Sequence, residues 1–170
     1  MSLYVGIDPG LSGAIAVFDL ENGKLTVHDM PTMEIRVGKS NKNVISERQL
    51  VTILDEPKGA VAFCEKVNAM PGQGVTSMFN FGMGFGIVRG VLAALGYGYT
   101  LVTPAQWKKK LGVPQGKDGS RHRAMELFPA YAELFRRKKD DGRAEAALIA
   151  YWGAVHFDGK KFQENVDNDD

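Results

Sequence analysis

Residues 4–18 read YVGIDPGLSGAIAVF. A short apolar strand, Tyr4 to Ile7, ends in a single carboxylate, Asp8. The turn Pro9-Gly10-Leu11-Ser12-Gly13 follows, and Ala14 to Phe18 supplies a second apolar strand. An acid at that point stands at the edge of a sheet, where it can hold a metal ion. The same layout occurs in proteins that grip a nucleotide phosphate, so the opening admits two chemistries and the rest of the chain must choose.

Working outward, Lys24 to Asp29 follows the turn Glu21-Asn22-Gly23, whose Asn-Gly pair is a strong hairpin signal, so three antiparallel strands form a meander. Met33 to Asn43 is polar, and we expect a mobile loop there. Ser46 opens a helix that runs to Glu56, before Pro57 and Gly59 stop it. Ala60 to Cys64 is a continuous apolar run, a buried strand that ends in Glu65. Val75 to Leu95 has apolar residues at helical spacing with Gly82, Gly84, Gly86 and Gly90 inside it. Glycine costs about 1 kcal/mol in a helix, so close packing against the sheet is expected at those positions. Tyr97 to Val102 is a further strand, Pro104 opens a helix that ends at Gly112, and helices follow around Arg121 to Phe128 and over Asp141 to Val155. A meander followed by alternating helices and strands makes an α/β domain with a mixed sheet. The domain is expected over residues 1–156, with an acidic, flexible C-terminal tail over 157–170.

A chain of 170 residues, 44% of them apolar, suffices for one sizeable core. The single Cys64 excludes an internal disulfide and fits a reducing compartment. Gly, Arg or Asn interrupts every apolar run that approaches membrane-spanning length, which implies a cytoplasmic protein with no membrane partner. The net charge is only +1, but Pro104 to Arg143 holds eleven Lys/Arg against five acids. That excess attracts a polyanion such as a nucleic-acid backbone, although a solvated helical face explains it equally well.

Asp8 and Glu65 each directly follow a buried run, a poor place for a solvated charge. Strand ends side by side would bring the two carboxylates close, where a divalent cation relieves their repulsion. Caps on backbone amides are the plainer alternative. A third contribution comes from Asp140-Asp141-Gly142-Arg143-Ala144-Glu145 at the start of the last helix. Residues four apart lie about 40° apart around the axis and roughly 6 Å along it, so Asp141 and Glu145 point the same way and Asp140 fits less well. An acid at a helix start also complements the macrodipole, which accounts for Asp140 or Asp141 but not for Glu145, followed as it is by Ala146-Ala147-Leu148-Ile149-Ala150. Four oxygen donors without a His or Cys cluster suit Mg²⁺ or Mn²⁺ and argue against zinc. Two such ions would serve phosphodiester hydrolysis.

Taken together, GIDPG, FCEKV, NAMPGQG, TPAQWKKKLG, GKDGSRHRAMELFP and DDGRAEAALIAYWG resemble the RuvC-like Holliday junction resolvases, in particular the phage-type branch. The resemblance runs from Tyr4 to Val155 with the blocks in order. It implies a ribonuclease H-like fold with a mixed five-stranded sheet flanked by helices. It also implies a homodimer that binds a four-way DNA junction and nicks two opposed strands, leaving 5′-phosphate and 3′-hydroxyl ends. The cofactor would be two Mg²⁺ ions, with Mn²⁺ as a substitute, held by Asp8, Glu65, Asp141 and Glu145. Many members place the last two ligands three apart, whereas Gly142 stands three before Glu145 here, so Asp140 is held in reserve for Asp141. Lys117 joins the catalytic group, and Lys108, Lys109, Lys117, Arg121 and Arg143 are implied at the nucleic acid. In Asn68 to Phe81, Met70, Phe79 and Phe81 are candidates to wedge the junction, Gly72 and Gly74 would let backbone amides approach a phosphate, and the following helix could form the dimer surface.

Three other readings compete. A sugar- or acetate-kinase-like ATPase shares the opening strand–turn–strand but needs two lobes and further nucleotide loops, so no nucleotide cofactor is expected. A ribonuclease H-like nuclease acting on other branched DNA or RNA, or an inactive nucleic-acid-binding relative, keeps the fold. A structural scaffold leaves Glu145 without a purpose.

Overall fold

The computed structural model describes residues 2–69 and 71–157. Strands β1 (Leu3–Asp8), β2 (Ala14–Asp19) and β3 (Lys24–Asp29) form the expected antiparallel meander. β6 (Val61–Glu65) pairs in parallel with β1, and β7 (Tyr99–Val102) in parallel with β6. The result is a mixed five-stranded sheet in the order β3-β2-β1-β6-β7.

Alternation along the strands separates two apolar layers. Val5, Ile7, Ile15, Ala62 and Cys64 pack with Leu50 and Leu54 of α1 (Glu47–Asp55) and with Val88 and Leu92 of α2 (Val75–Ala94). On the other face, Ala14, Ala16, Phe18 and Phe63 pack with Trp107 of α3 (Pro104–Leu111), Ala124 of α4 (Gly119–Leu127) and the Ala144–Ala150 stretch of α5 (Asp141–His156). Gly6 allows α5 to lie directly on β1, because a Cβ there would collide with the Ala146 carbonyl and the Ala150 amide.

Three expectations are corrected. Residues 33–43 are not a loop: β4 (Thr32–Val37) and β5 (Ser40–Ile45) form a separate two-stranded ribbon. Met33, Ile35 and Val37 alternate with polar residues at the strand period. Gly38, at φ +63°, takes the first of the two turn positions, as a type II′ hairpin requires. Secondly, the helical glycines of α2 do not pack on the sheet. Side chains at Gly82, Gly86 and Gly90 would meet nothing within 4 Å, and only Gly84 is covered, by Ile45 Cδ1 of β5 at 3.1 Å. Thirdly, α2 is by length and composition apolar enough to cross a bilayer. In this fold it buries Val88, Val91 and Leu92 and leaves most of its surface open. Phe157, placed at the head of the tail, packs edge-on against Phe63 with ring centroids 5.0 Å apart; residues 158–170 lie outside the described residues.

Candidate active site

Register and face bring the acids together. Ile7 stands opposite Cys64, so the next positions, Asp8 and Glu65, end neighbouring parallel strands at the same level. Asp8 shares a face with Tyr4 and Gly6, and Glu65 shares one with Phe63, the face covered by α5. The first turn of α5 reaches the β1–β2 turn because residue 142 is glycine, where a Cβ would strike the Ser12 carbonyl. Asp141 and Glu145, on that first turn and the next, thereby meet the two strand ends.

The electrostatics report the same convergence. Burial pushes the Asp8 carboxyl up to about 6, with Glu145 and Asp141 adding to the rise and the Gly10 amide opposing it. Burial, then Glu145 and Asp8, pushes Glu65 up to about 7 against the hydrogen bond from Trp107. Burial and Glu145 also raise Asp141. Carboxyls that raise one another across three elements form one cluster of negative charge.

Each acid is held at one oxygen. The Gly10 amide donates to Asp8 Oδ1 at 3.2 Å, and Trp107 Nε1 donates to Glu65 Oε2 at 3.0 Å. The Ser120 hydroxyl and the Lys108 ammonium both reach Glu145 Oε1, at 3.2 and 3.0 Å. Asp141 Oδ1 is buried without a hydrogen-bond partner. The second oxygens of Asp8, Glu65 and Glu145 carry no hydrogen bond among the described residues. A donor set of unspent carboxylate oxygens fits a hard cation. Among the described residues no three of these side chains surround a single point as a metal cage. Lys108 lies among them instead. Burial works to lower its pKa, but hydrogen bonding and charge from Glu145, then Glu65 and Asp141, hold it above the ordinary lysine value.

Asp140 is separated from the cluster. It is 1% exposed and takes Arg137 at both oxygens: the Arg137 amide donates to Oδ2 at 2.8 Å, and the guanidinium reaches Oδ1 at 2.9 Å. Burial acts to raise its pKa, but the Arg137 contacts outweigh it and the net shift is downward. Of the two adjacent aspartates, Asp141 therefore faces the cluster.

Two basic residues sit differently from expectation. Arg121 is buried, its guanidinium donating to the carbonyls of Phe135 and Arg136 and pairing with Asp118, so it braces the 3₁₀ segment Pro129–Phe135 rather than facing solvent. Arg143 forks onto Asp29 at 2.6 and 2.8 Å and stands 3.7 Å from Asp140, which ties α5 to β3. Lys109 and Lys117 are exposed, Lys117 three residues before Ser120. Gly72, at φ +85°, and Gly74, the residue preceding α2, both border open space. Phe79 is 69% exposed, and the Phe81 ring comes within 3.5 Å of where a Gly10 Cβ would stand. Met70 lies outside the described residues. Sequence reasoning missed Trp107, Ser120 and Asp29. Trp107 adjoins Lys108 in a block already singled out, but nothing local marks Ser120 or Asp29, whose partners are distant in the chain.

No protein-family model matches the chain. Its sequence is 33% identical over 98 residues to the chloroplastic Holliday junction resolvase MOC1 of Chlamydomonas reinhardtii, a match covering 56% of this chain and 11% of that protein. The match thus spans about a tenth of that relative's length. Among solved structures, Thermus thermophilus RuvC in complex with a Holliday junction substrate superposes with a TM-score of 0.60 at 13% identity, covering 92% of this chain and 97% of that one. A second Thermus thermophilus RuvC structure gives 0.58 at 15% identity, with 90% and 96% covered. The chain has the ribonuclease H-like fold of RuvC and is similar in sequence to a Holliday junction resolvase.

Proposed function

We propose that this chain is a structure-selective, divalent-metal-dependent endonuclease that resolves four-way DNA junctions by paired nicking, leaving 5′-phosphate and 3′-hydroxyl ends. The observation that carries this reading is the meeting of Asp8, Glu65, Asp141 and Glu145 from β1, β6 and α5, each with an unspent oxygen. Residues 1–156 are the nuclease domain in this proposal. The RuvC-like fold and the similarity to a resolvase support a branched DNA substrate.

When bound by these four residues, two Mg²⁺ ions, or Mn²⁺ in their place, supply an activated water and charge neutralisation at the leaving oxygen. The chain's own groups prepare that site. Trp107 and Ser120 fix the rotamers of Glu65 and Glu145, so the unspent oxygens are aimed before substrate arrives. Lys108, 40% exposed, neutralises part of the cluster and reaches solvent, where it can balance charge growing on the phosphate oxygens. Lys117 and Lys109 offer phosphate contacts on the rim. Phe79 and Phe81 are the described candidates to enter an opened junction.

A homodimer completes the reading, because two opposed strands need two sites. Helix α2 supports it: Val75 and Met83 are exposed large apolar side chains, and Gly82, Gly86 and Gly90 leave room for a close neighbour.

The test incubates the protein with a labelled mobile four-way junction, a Y-fork, an RNA-containing fork and linear duplex, with and without Mg²⁺, and maps the cuts. Symmetric paired nicks confined to the junction and absent without Mg²⁺ are expected. Cutting of the forks alone would move the substrate to other branched nucleic acids, and metal-independent cutting would remove the mechanism.

A further inference from the structure

The β4–β5 ribbon lies outside the five-stranded sheet and is rooted beside the candidate active site. The Met30 amide donates to the Gly13 carbonyl at 2.9 Å, in the turn that follows Asp8, and Ile45 is buried against Gly84 of α2. Beyond that root every residue from Thr32 to Asn43 except Ile35 is exposed. Six residues per strand carry the Gly38–Lys39 tip on the order of 20 Å from the root.

Its charges are unbalanced. Glu34 is the ribbon's one acid, and Asn41 Nδ2 donates to it at 2.9 Å. Arg36, Lys39 and Lys42 have no carboxylate partner among the described residues, and Arg36 Nε reaches only the Gly38 carbonyl, at 3.4 Å. At the root, Thr32 shares a cleft with Asp29, Arg137, Lys139, Asp140 and Arg143; Arg137 is paired with Asp140 and Arg143 with Asp29, so Lys139 is the exposed cation there without a carboxylate partner among the described residues. A thin ribbon with uncompensated cations suits a polyanion, and a two-stranded ribbon is narrow enough to enter a DNA major groove. A reach of about 20 Å corresponds to roughly six base pairs of duplex.

We propose that the β4–β5 hairpin is an arm that holds the duplex leaving the candidate active site, with Lys42, Arg36 and Lys39 on phosphates spread over roughly three to six base pairs from the branch. The proposal rests on the nuclease reading and adds a binding surface that the cut itself does not need.

The test is a thermodynamic cycle on the full chain in EDTA. Wild type is compared with the triple variant Arg36→Thr, Lys39→Ser, Lys42→Thr. Each binds a junction with an all-phosphate backbone and one with neutral methylphosphonate linkages about two to seven nucleotides from the branch. Wild type is expected to bind the neutralised junction about tenfold or more weakly, while the variant binds both equally. On the natural junction, the variant's log–log salt slope should be shallower by about 2 to 3, matching three lost contacts. Equal losses from the neutral linkages in both proteins would overturn the proposal. So would a variant that binds like wild type, or one that changes only self-association in sedimentation, which would assign the ribbon to a second copy. Failure of wild type to bind any junction would sink the nuclease reading itself, a result that requires no variant.

Discussion

Helix α5 buries Gly142, Ala144, Gly153 and the whole Ala146–Ala150 stretch, whereas the longer and more apolar α2 buries only Gly84, Val88, Val91 and Leu92. Both are rich in small residues, but these do different work. In α5, Gly142 lets the helix approach the β1–β2 turn, and the alanines let it lie on β1 and β2, which brings Asp141 and Glu145 to the strand ends. In α2, three of four internal glycines face open space. One helix spends its small residues on placing charge inside the domain, and the other keeps them for a surface outside it.

The largest effect should come from the α5 side. Asp8→Asn or Glu145→Gln is expected to lower junction nicking by at least about 10³-fold while junction affinity stays within about threefold, since binding rests on phosphate contacts. Nicking and binding assays on one preparation check this, and persistent cutting by Asp8→Asn with Mg²⁺ would end the metal-site reading. Next, Gly6→Ala forces a Cβ into the α5 backbone and should cost about 2–3 kcal/mol, a fall of several degrees in Tm. A Tm unchanged by that substitution would mean that α5 does not lie on β1 as described.

On the α2 side, Met83→Glu places a charge on the exposed face. It should weaken self-association about tenfold or more in sedimentation equilibrium, with monomer stability little changed. A monomeric wild type would remove the partner from this face.

A pH test separates the two regions further. Folding raises Asp8 from 3.8 to about 6 and Glu65 from 4.5 to about 7, so between roughly pH 4 and 7 the folded state binds more protons than the unfolded chain. Stability in EDTA should therefore fall as pH rises through that window. Asp8→Asn, which removes one of the two groups, should recover on the order of 1–2 kcal/mol at pH 7.5. Thermal melts at pH 5 and 7.5 decide it, and a variant with the wild-type pH dependence would contradict the buried cluster. The smallest effect is expected from Gly86→Ala, a gain of about 0.5–1 kcal/mol in the monomer, because that position meets nothing. A loss there in dilute monomer would place hidden packing on α2.

Much of the fold was legible because its signals are local. The apolar run before Asp8, the Asn22-Gly23 turn and the unbroken stretch before Glu65 each declare an element within a few residues. The 33–43 ribbon was misread as a loop: Met33, Ile35 and Val37 carry the strand alternation, but the segment's polar, exposed residues hid it. Arg121 illustrates the opposite limit. Nothing in its own neighbourhood shows that the carbonyls of Phe135 and Arg136 will bury its guanidinium.

By itself the sequence determined that acids end two apolar strands and begin a helix, because periodicity and capping are set by neighbours along the chain. Only the tertiary structure decided that Asp141 and not Asp140 joins Asp8 and Glu65, that Lys108 lies among them, and that α2 stays uncovered. Those outcomes depend on strand register and on how closely a helix can approach a sheet, which residues far apart in the chain settle together.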